Sequence, residues 1–271
     1  MTPKMEVRSA CLPAHAGEDR LIVTSSAAIV LDGATSHGRK DLAAGDYVDH
    51  LGCALVSAMD NETPLTDVLA SALYRTVVDL KLTEGSPDTP SSTVAIAKAR
   101  SEGVIDLLVL GDSTIVAGNT SGTAAVLCDD RLTRLCLPQS ERYRSRLQHG
   151  TGFDDEHRAL LAELQRAQRG LRNQPGGYWI ASTCPVAAQH ALTMTCSTDV
   201  LDWLILATDG AADTIAALGV TWAEIAEMDN AALRALLEKC YDWEESTDPN
   251  GIAFPRAKRH DDKAIAAIRL R

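Results

Sequence analysis

The sequence predicts an α+β fold with a mainly antiparallel sheet. Two observations carry this: two helical segments are adjacent near the N-terminus, and a series of short strand-like segments follows at hairpin spacing with no helix between them. A third observation concerns chemistry. Three apolar runs end on an acid: "AAIVLDGATSHG" (27–38), "LLVLGDS" (107–113) and "LILATDGAAD" (204–213).

Taken in order, "LIVTSSAAIVL" (21–31) reads as a strand pair or one broken strand, rich in Ile and Val. Val48, Leu51, Leu55 and Met59 then fall at helical spacing. A second helix follows, with Thr63 as its N-cap, Pro64 in its first position and Leu65, Val68, Leu69, Ala72 and Leu73 on one face. The Pro-, Ser- and Gly-rich 84–92 is a loop. After it the pattern shifts to period two, with "STVAIAKAR", a "SEG" turn, "VIDLLVL", "STIVAG", "GTAAVLC" and "RLTRLCL" as successive strands. Residues 138–177 form an irregular insertion containing one helix, 154–173, with acids in its first turn and leucines on one face. The last third predicts a strand at 201–208, helices near 210–217, 221–227 and 229–241, and a final strand at 263–270. No linker is long enough to divide the chain, so residues 1–271 are expected to form one domain.

Composition narrows the function. The formal charge of -11 argues against nucleic acid or an anionic membrane as partner and suits divalent cations. Seven cysteines, odd in number and without a C-x-x-C pair, suggest neither a zinc site nor a disulfide framework and read as reduced core thiols. The N-terminus lacks a signal-peptide pattern, and no apolar run approaches the ~20 residues that cross a bilayer. A cytoplasmic protein is expected.

A carboxylate at the end of a buried strand is rigidly held where the sheet opens to solvent, which makes it a good ligand and a poor core residue. Two carboxylates ~4 Å apart repel by about 4 kcal/mol at an effective dielectric near 20. A cluster therefore requires a cation or a shared proton, and oxygen-only donors favour Mg²⁺, Mn²⁺ or Ca²⁺.

"GEDR" (17–20), "LDGATSHG" (31–38), "SSTVAIA" (91–97), "LVLGDST" (108–114), "ATDGAAD" (207–213) and "HDDKAIAAI" (260–268) occur in the order found in one family. From about residue 7 to 270 the chain resembles the metal-dependent Ser/Thr protein phosphatases of type 2C (PPM). The resemblance implies an α-β-β-α sandwich, two central antiparallel sheets flanked by helices, with two or possibly three Mn²⁺ or Mg²⁺ ions in a cleft at one edge. It implies that Asp32 bridges two metals, that the Gly33 carbonyl binds the second, and that Asp209 and Asp261 complete the first, directly or through water. Asp19 would organise metal-bound waters, and Asp112 would serve a third metal. His37 is either a proton donor beside the metals or a structural histidine, and Asp262 rivals Asp261 as the ligand. Paired cations lower the pKa of a bridging water and polarise a phosphate ester in line with it, so hydrolysis needs no nucleophilic side chain. The implied substrate is phosphoserine or phosphothreonine in a protein, with a Ser/Thr kinase or its targets as partners.

The sequence departs from the family in three places. The usual phosphate-gripping Arg is missing from the window holding Pro13, Ala14 and His15, leaving His15, Arg8, Arg20 or the "KRH" at 258–260 as substitutes. The glycine-rich D-G-x-G-G has become "DGATS", and Lys263 stands where small or apolar residues are common. Residues 138–177 occupy the place of the family's flap, and Arg142, Arg144 and Arg146 in it either meet a phosphopeptide or form a solvated basic face. The lost Arg motivates an alternative, a catalytically weak metal-binding regulatory module.

Overall fold

The structure is a computed structural model that describes residues 5–13, 17–34 and 42–270. Among these, the strands are β1 (Met5–Leu12), β2 (Arg20–Val23), β3 (Ala27–Ala34), β4 (Ser91–Ala99), β5 (Val104–Leu110), β6 (Thr114–Asn119), β7 (Gly122–Cys128), β8 (Leu192–Ser197), β9 (Trp203–Ala207) and β10 (Lys263–Leu270). The helices are α1 (Ala44–Ala58), α2 (Leu65–Asp79), α3 (Arg131–Arg134), α4 (Pro138–Gln148), α5 (Asp155–Arg169), α6 (Asp209–Leu218), α7 (Trp222–Ala226) and α8 (Asn230–Ser246). The strands form two five-stranded sheets, ordered β1-β10-β9-β6-β7 and β2-β3-β4-β5-β8. Every pairing is antiparallel.

Strand alternation makes four layers. On β3, Ile29 and Leu31 pack under α1 and α2, whereas Ala28 and Val30 face the other sheet. On β9 and β10, Ile205, Ala207, Ile265 and Ala267 pack under α6–α8, whereas Leu204, Leu206, Ala264, Ala266 and Ile268 face inward. The inter-sheet layer is rich in alanine, which lets two sheets pack closely with few aromatics. This is the α-β-β-α sandwich the resemblance implies.

Several elements differ from the sequence reading. The segment 131–137 is not a strand: Arg131 donates through its backbone N–H and guanidinium to Asp129, and this local bond turns the chain into α3. Residues 138–148 form a second helix of the insertion, and the helix expected at 154–173 ends at Arg169. Together α4 and α5 are a helical hairpin with its own small core of Tyr143, Leu147, Leu160 and Leu164. The helix expected to start at Pro64 starts at Leu65, because Thr63 spends its hydroxyl and N–H on the Asp60 carboxylate, 2.7 and 2.6 Å away, and Pro64 becomes the cap. Strands β1 and β8 lay outside the sequence reading. All seven cysteines are free, but only Cys240 is buried; Cys53, Cys128 and Cys136 are exposed and are not core thiols.

Candidate metal centre

The acids gather because of strand parity. Asp32 follows Ala28 and Val30 on the inward face of β3, opposite Thr93 of β4, and it stands where the space between the sheets opens. The apolar run therefore stops at a carboxylate, although β3 itself continues to Ala34. Gly33 beside it is obligatory for packing, since a Cβ there would stand 2.8 Å from the Glu18 carbonyl oxygen and 3.2 Å from Val48. Asp209 opens α6 directly after β9, and its carboxylate accepts the Gly210 N–H at 2.6 Å. The helix N-terminus favours that negative charge. Gly210 is pressed against the chain that precedes β10: a Cβ would meet the Asp262 carbonyl oxygen at 2.2 Å and the Asp261 Cβ at 3.1 Å. This close approach sets Asp209 beside Asp261.

Asp19 is buried and accepts a 2.8 Å hydrogen bond from the Thr208 hydroxyl, which itself accepts the Ala264 N–H at 3.0 Å. Thr208 thus ties the N-terminal turn to both β9 and β10, a role no sequence pattern announced. Asp112 lies in the turn after β5 and takes a long contact, 3.7 Å, from the Cys128 thiol on its carbonyl. Asp262 is turned away from the cleft and accepts the Glu18 N–H at 2.5 Å, leaving Asp261 as the acid on the cleft side.

Electrostatics records the crowding. Burial, then repulsion from Asp209, Asp19, Asp261 and Asp112, holds Asp32 well above the usual carboxylate range. Asp209 is raised by burial and by Asp261, against hydrogen bonds from Asp32 and Gly210. Asp19 is pushed up to about 7 by burial and by Asp262, Asp209 and Asp261, with the Thr208 hydrogen bond pulling the other way. Asp112 is pushed up to about 7 by burial and by Asp209.

The Lys258 ammonium lies 2.9 Å from the Asp261 carboxylate. Among the described residues no three acids, histidines or cysteines already stand as a finished ligand set. Four of the carboxylates have a local partner: Asp19 has Thr208, Asp209 has Gly210, Asp261 has Lys258 and Asp262 has Glu18. The donor set nevertheless fits a hard divalent cation, being all oxygen, mutually repelling and already served by a side-chain cation.

The remaining candidates divide. His15 and His37 lie outside the described residues. Arg20 is occupied with scaffolding rather than with the cleft: it grips Asp49 of α1 at 2.6 and 3.0 Å and donates to the carbonyls of Gly17 and Asp19 at 2.7 and 2.9 Å. Arg8 bonds Glu6 and the Met228 carbonyl, and His260 stacks on Tyr241 between Glu244 and Glu245. Of the suggested arginine substitutes, Lys258 reaches the acids. Lys263 is wholly buried and paired with Glu244 at 2.8 Å, so the odd family position serves the core.

Asp112, Asp209 and Asp261, but not Asp19 or Asp32, line a cleft of about 660 Å³ whose other wall is the α4–α5 hairpin. Asp112, Asp209, Asp213 and Asp261 face Tyr143, Arg144, Leu164 and Gln168 across it. Arg142 and Arg146 pair with Glu163, Asp154 and Glu156, whereas the charge of Arg144 reaches Asp213.

The Protein phosphatase 2C family model matches residues 17–246. Compared by sequence with curated proteins, the chain matches none. Solved structures that share its fold include the serine/threonine phosphatase PstP/Ppp of Mycobacterium tuberculosis, 13% identical, covering 100% of this chain and 99% of that one with a TM-score of 0.56. The catalytic domain of PstP in complex with two manganese ions is 12% identical over 99% and 98% of the chains, TM-score 0.55. The PPM Ser-Thr phosphatase MsPP from Mycobacterium smegmatis, in complex with cacodylate, is 16% identical over 98% of both, TM-score 0.53. The segment carrying Asp261 lies beyond the family match, yet β10 pairs with β9 in register and brings that acid to Asp209. The chain belongs to the protein phosphatase 2C family, the manganese- or magnesium-dependent enzymes that hydrolyse phosphoserine and phosphothreonine in proteins.

Proposed function

We propose that Asp32, Asp209 and Asp261, with the Gly33 carbonyl, hold the divalent cations of this phosphatase, that Asp19 orients water beside them, and that Asp112 serves a further cation. The observation that carries this is the gathering of acids from distant chain segments at one sandwich edge, where burial and then their mutual repulsion raise Asp19, Asp32, Asp112 and Asp209 together. When bound, the cations supply an activated water at neutral pH and polarise the phosphate ester. The chain's own residues do the rest. Gly210 holds Asp209 against Asp261, Thr208 fixes Asp19, and Asp262 anchors the turn at Glu18. The α4–α5 hairpin acts as the flap, with Arg144 meeting the charge of a phosphorylated segment. The substrates are phosphoproteins, a Ser/Thr kinase or its targets among them, and the site of action is the cytoplasm. Among the described residues no helix is long and apolar enough to cross a membrane.

The test is hydrolysis of a phosphothreonine peptide with Mn²⁺. Activity is expected to vanish with a chelator and to fall more than about a hundredfold in Asp209→Asn, exceeding the loss typical of residues that only orient a ligand. An Asp209→Asn enzyme with unchanged kcat removes Asp209 from the metal centre.

A further inference from the structure

We propose that Lys258 is a tethered counter-ion of the acidic centre: its ammonium balances Asp261 and is displaced when a divalent cation binds. The inference rests on the reading of these acids as the cation site.

Four observations support it. The ammonium stands 2.9 Å from Asp261 Oδ1, its charge also reaches Asp32 and Glu18, and Asp209 feels it in turn. The backbone that presents it is pinned on both sides of the cleft. Arg256 donates to the Asp248 carboxylate at 2.8 Å and to the Asp248 carbonyl at 2.8 Å, with its guanidinium over the rings of Phe153 and Trp243. One residue later, the Ala257 carbonyl is bonded at 2.8 Å to His157 Nε2 of α5. The Cα of Lys258 is therefore fixed, whereas its side chain is 59% exposed and free to swing into water. Finally, Asp261 is bracketed by two lysines with different tasks. Lys263, fully buried, donates to the Asp261 carbonyl at 3.0 Å and pairs with Glu244, a permanent arrangement. Lys258 takes the carboxylate and is the exchangeable partner.

Charge decides the exchange. An ammonium carries one charge and serves one carboxylate oxygen at 2.9 Å, whereas a divalent cation satisfies several acids at once. The metal wins when present, but its apparent affinity is reduced because it must first expel the lysine. Removing the lysine charge should therefore tighten metal binding while loosening the metal-free protein.

Lys258→Met and Lys258→Arg, made in the full chain, separate the possibilities. Mn²⁺ affinity is read by calorimetry, and melting temperature is read in chelator and at saturating Mn²⁺. Lys258→Met is expected to bind Mn²⁺ at least about fivefold more tightly and to melt several degrees lower in chelator, widening the gap to the Mn²⁺-saturated form, as mass action requires. Lys258→Arg should behave like the parent. Unchanged or weaker Mn²⁺ affinity in Lys258→Met, or an unchanged melting temperature in chelator, overturns the proposal. If the parent protein itself neither binds Mn²⁺ nor melts higher with it, the cation-site reading fails instead, and the chelator melts still decide whether Lys258 neutralises the acids.

Discussion

Gly210 leaves the least room for substitution in the site. A Cβ at 2.2 Å from the Asp262 carbonyl oxygen cannot be accommodated without moving α6 away from the segment that carries Asp261. Gly210→Ala is expected to destabilise the protein by about 1–3 kcal/mol, the usual cost of overpacking. It should also weaken Mn²⁺ binding about tenfold or more, as a calorimetric titration would show, because Asp209 and Asp261 separate. Asp209 makes the opposite kind of contribution. After burial, its charge is the largest cause that raises Asp32 and Asp112, so it is a source of repulsion in the metal-free protein. Asp209→Asn should raise the chelator melting temperature by about 2–4 °C, roughly 1 kcal/mol, while abolishing turnover. A fall in melting temperature would mean that the favourable charge of Asp209 at the α6 N-terminus outweighs the repulsion.

Among the elements, the α4–α5 hairpin is the most separable. Its core is four side chains, distinct from the layers that hold the sandwich together. Leu160→Ala should cost about 2–3 kcal/mol locally, seen as faster amide exchange across 138–169 with β3, β4 and β9 still protected. If the hairpin is the flap, KM for a phosphopeptide should rise while turnover of a small aryl phosphate is nearly unchanged; equal effects on both substrates would make it scaffold only. This hairpin was half legible. Leucines at helical spacing marked α5, but "SERYRSRLQ" is almost all polar, and α4 buries only Tyr143 and Leu147, one turn apart. Its helicity comes from packing on α5. Strand β1 escaped for a related reason: its alternation is confined to Met5–Arg8, it is half-buried along its whole length, and its stability comes from eight paired positions with β10.

At the scale of the whole molecule the acidic centre sets the pH response. Asp19 and Asp112 bind protons near pH 7 when folded but ionise near 3.8 when unfolded. Between those values the folded state holds more protons than the unfolded one, so metal-free stability should rise as pH falls from about 8 to 5 and be lost as pH climbs through 7. Below about pH 4 the trend should reverse, since Asp60 and Asp154 are lowered by backbone hydrogen bonds and lose them on protonation. Saturating Mn²⁺ competes with the protons, so its apparent affinity should strengthen as pH rises from 6 to 8. Melting curves in chelator and in Mn²⁺ across pH 5–8 check both signs, and a metal-free protein most stable at pH 8 contradicts them.

What the sequence determined by itself was the fold class, most of the helices and strands, and a set of strand-end acids as candidate ligands, because strand period, helix period and strand-end carboxylates are local patterns in the chain. What it left open depended on contacts between distant segments. Asp261 rather than Asp262 faces the cleft because the Glu18 N–H, 244 residues away in the chain, takes Asp262. Arg20 is tied to α1 because Asp49 claims it, and Lys258 is brought to Asp261 because Arg256 and His157 pin its loop. A charged side chain's task is set by whichever partner lies nearest once the chain has folded, and no local pattern encodes that distance.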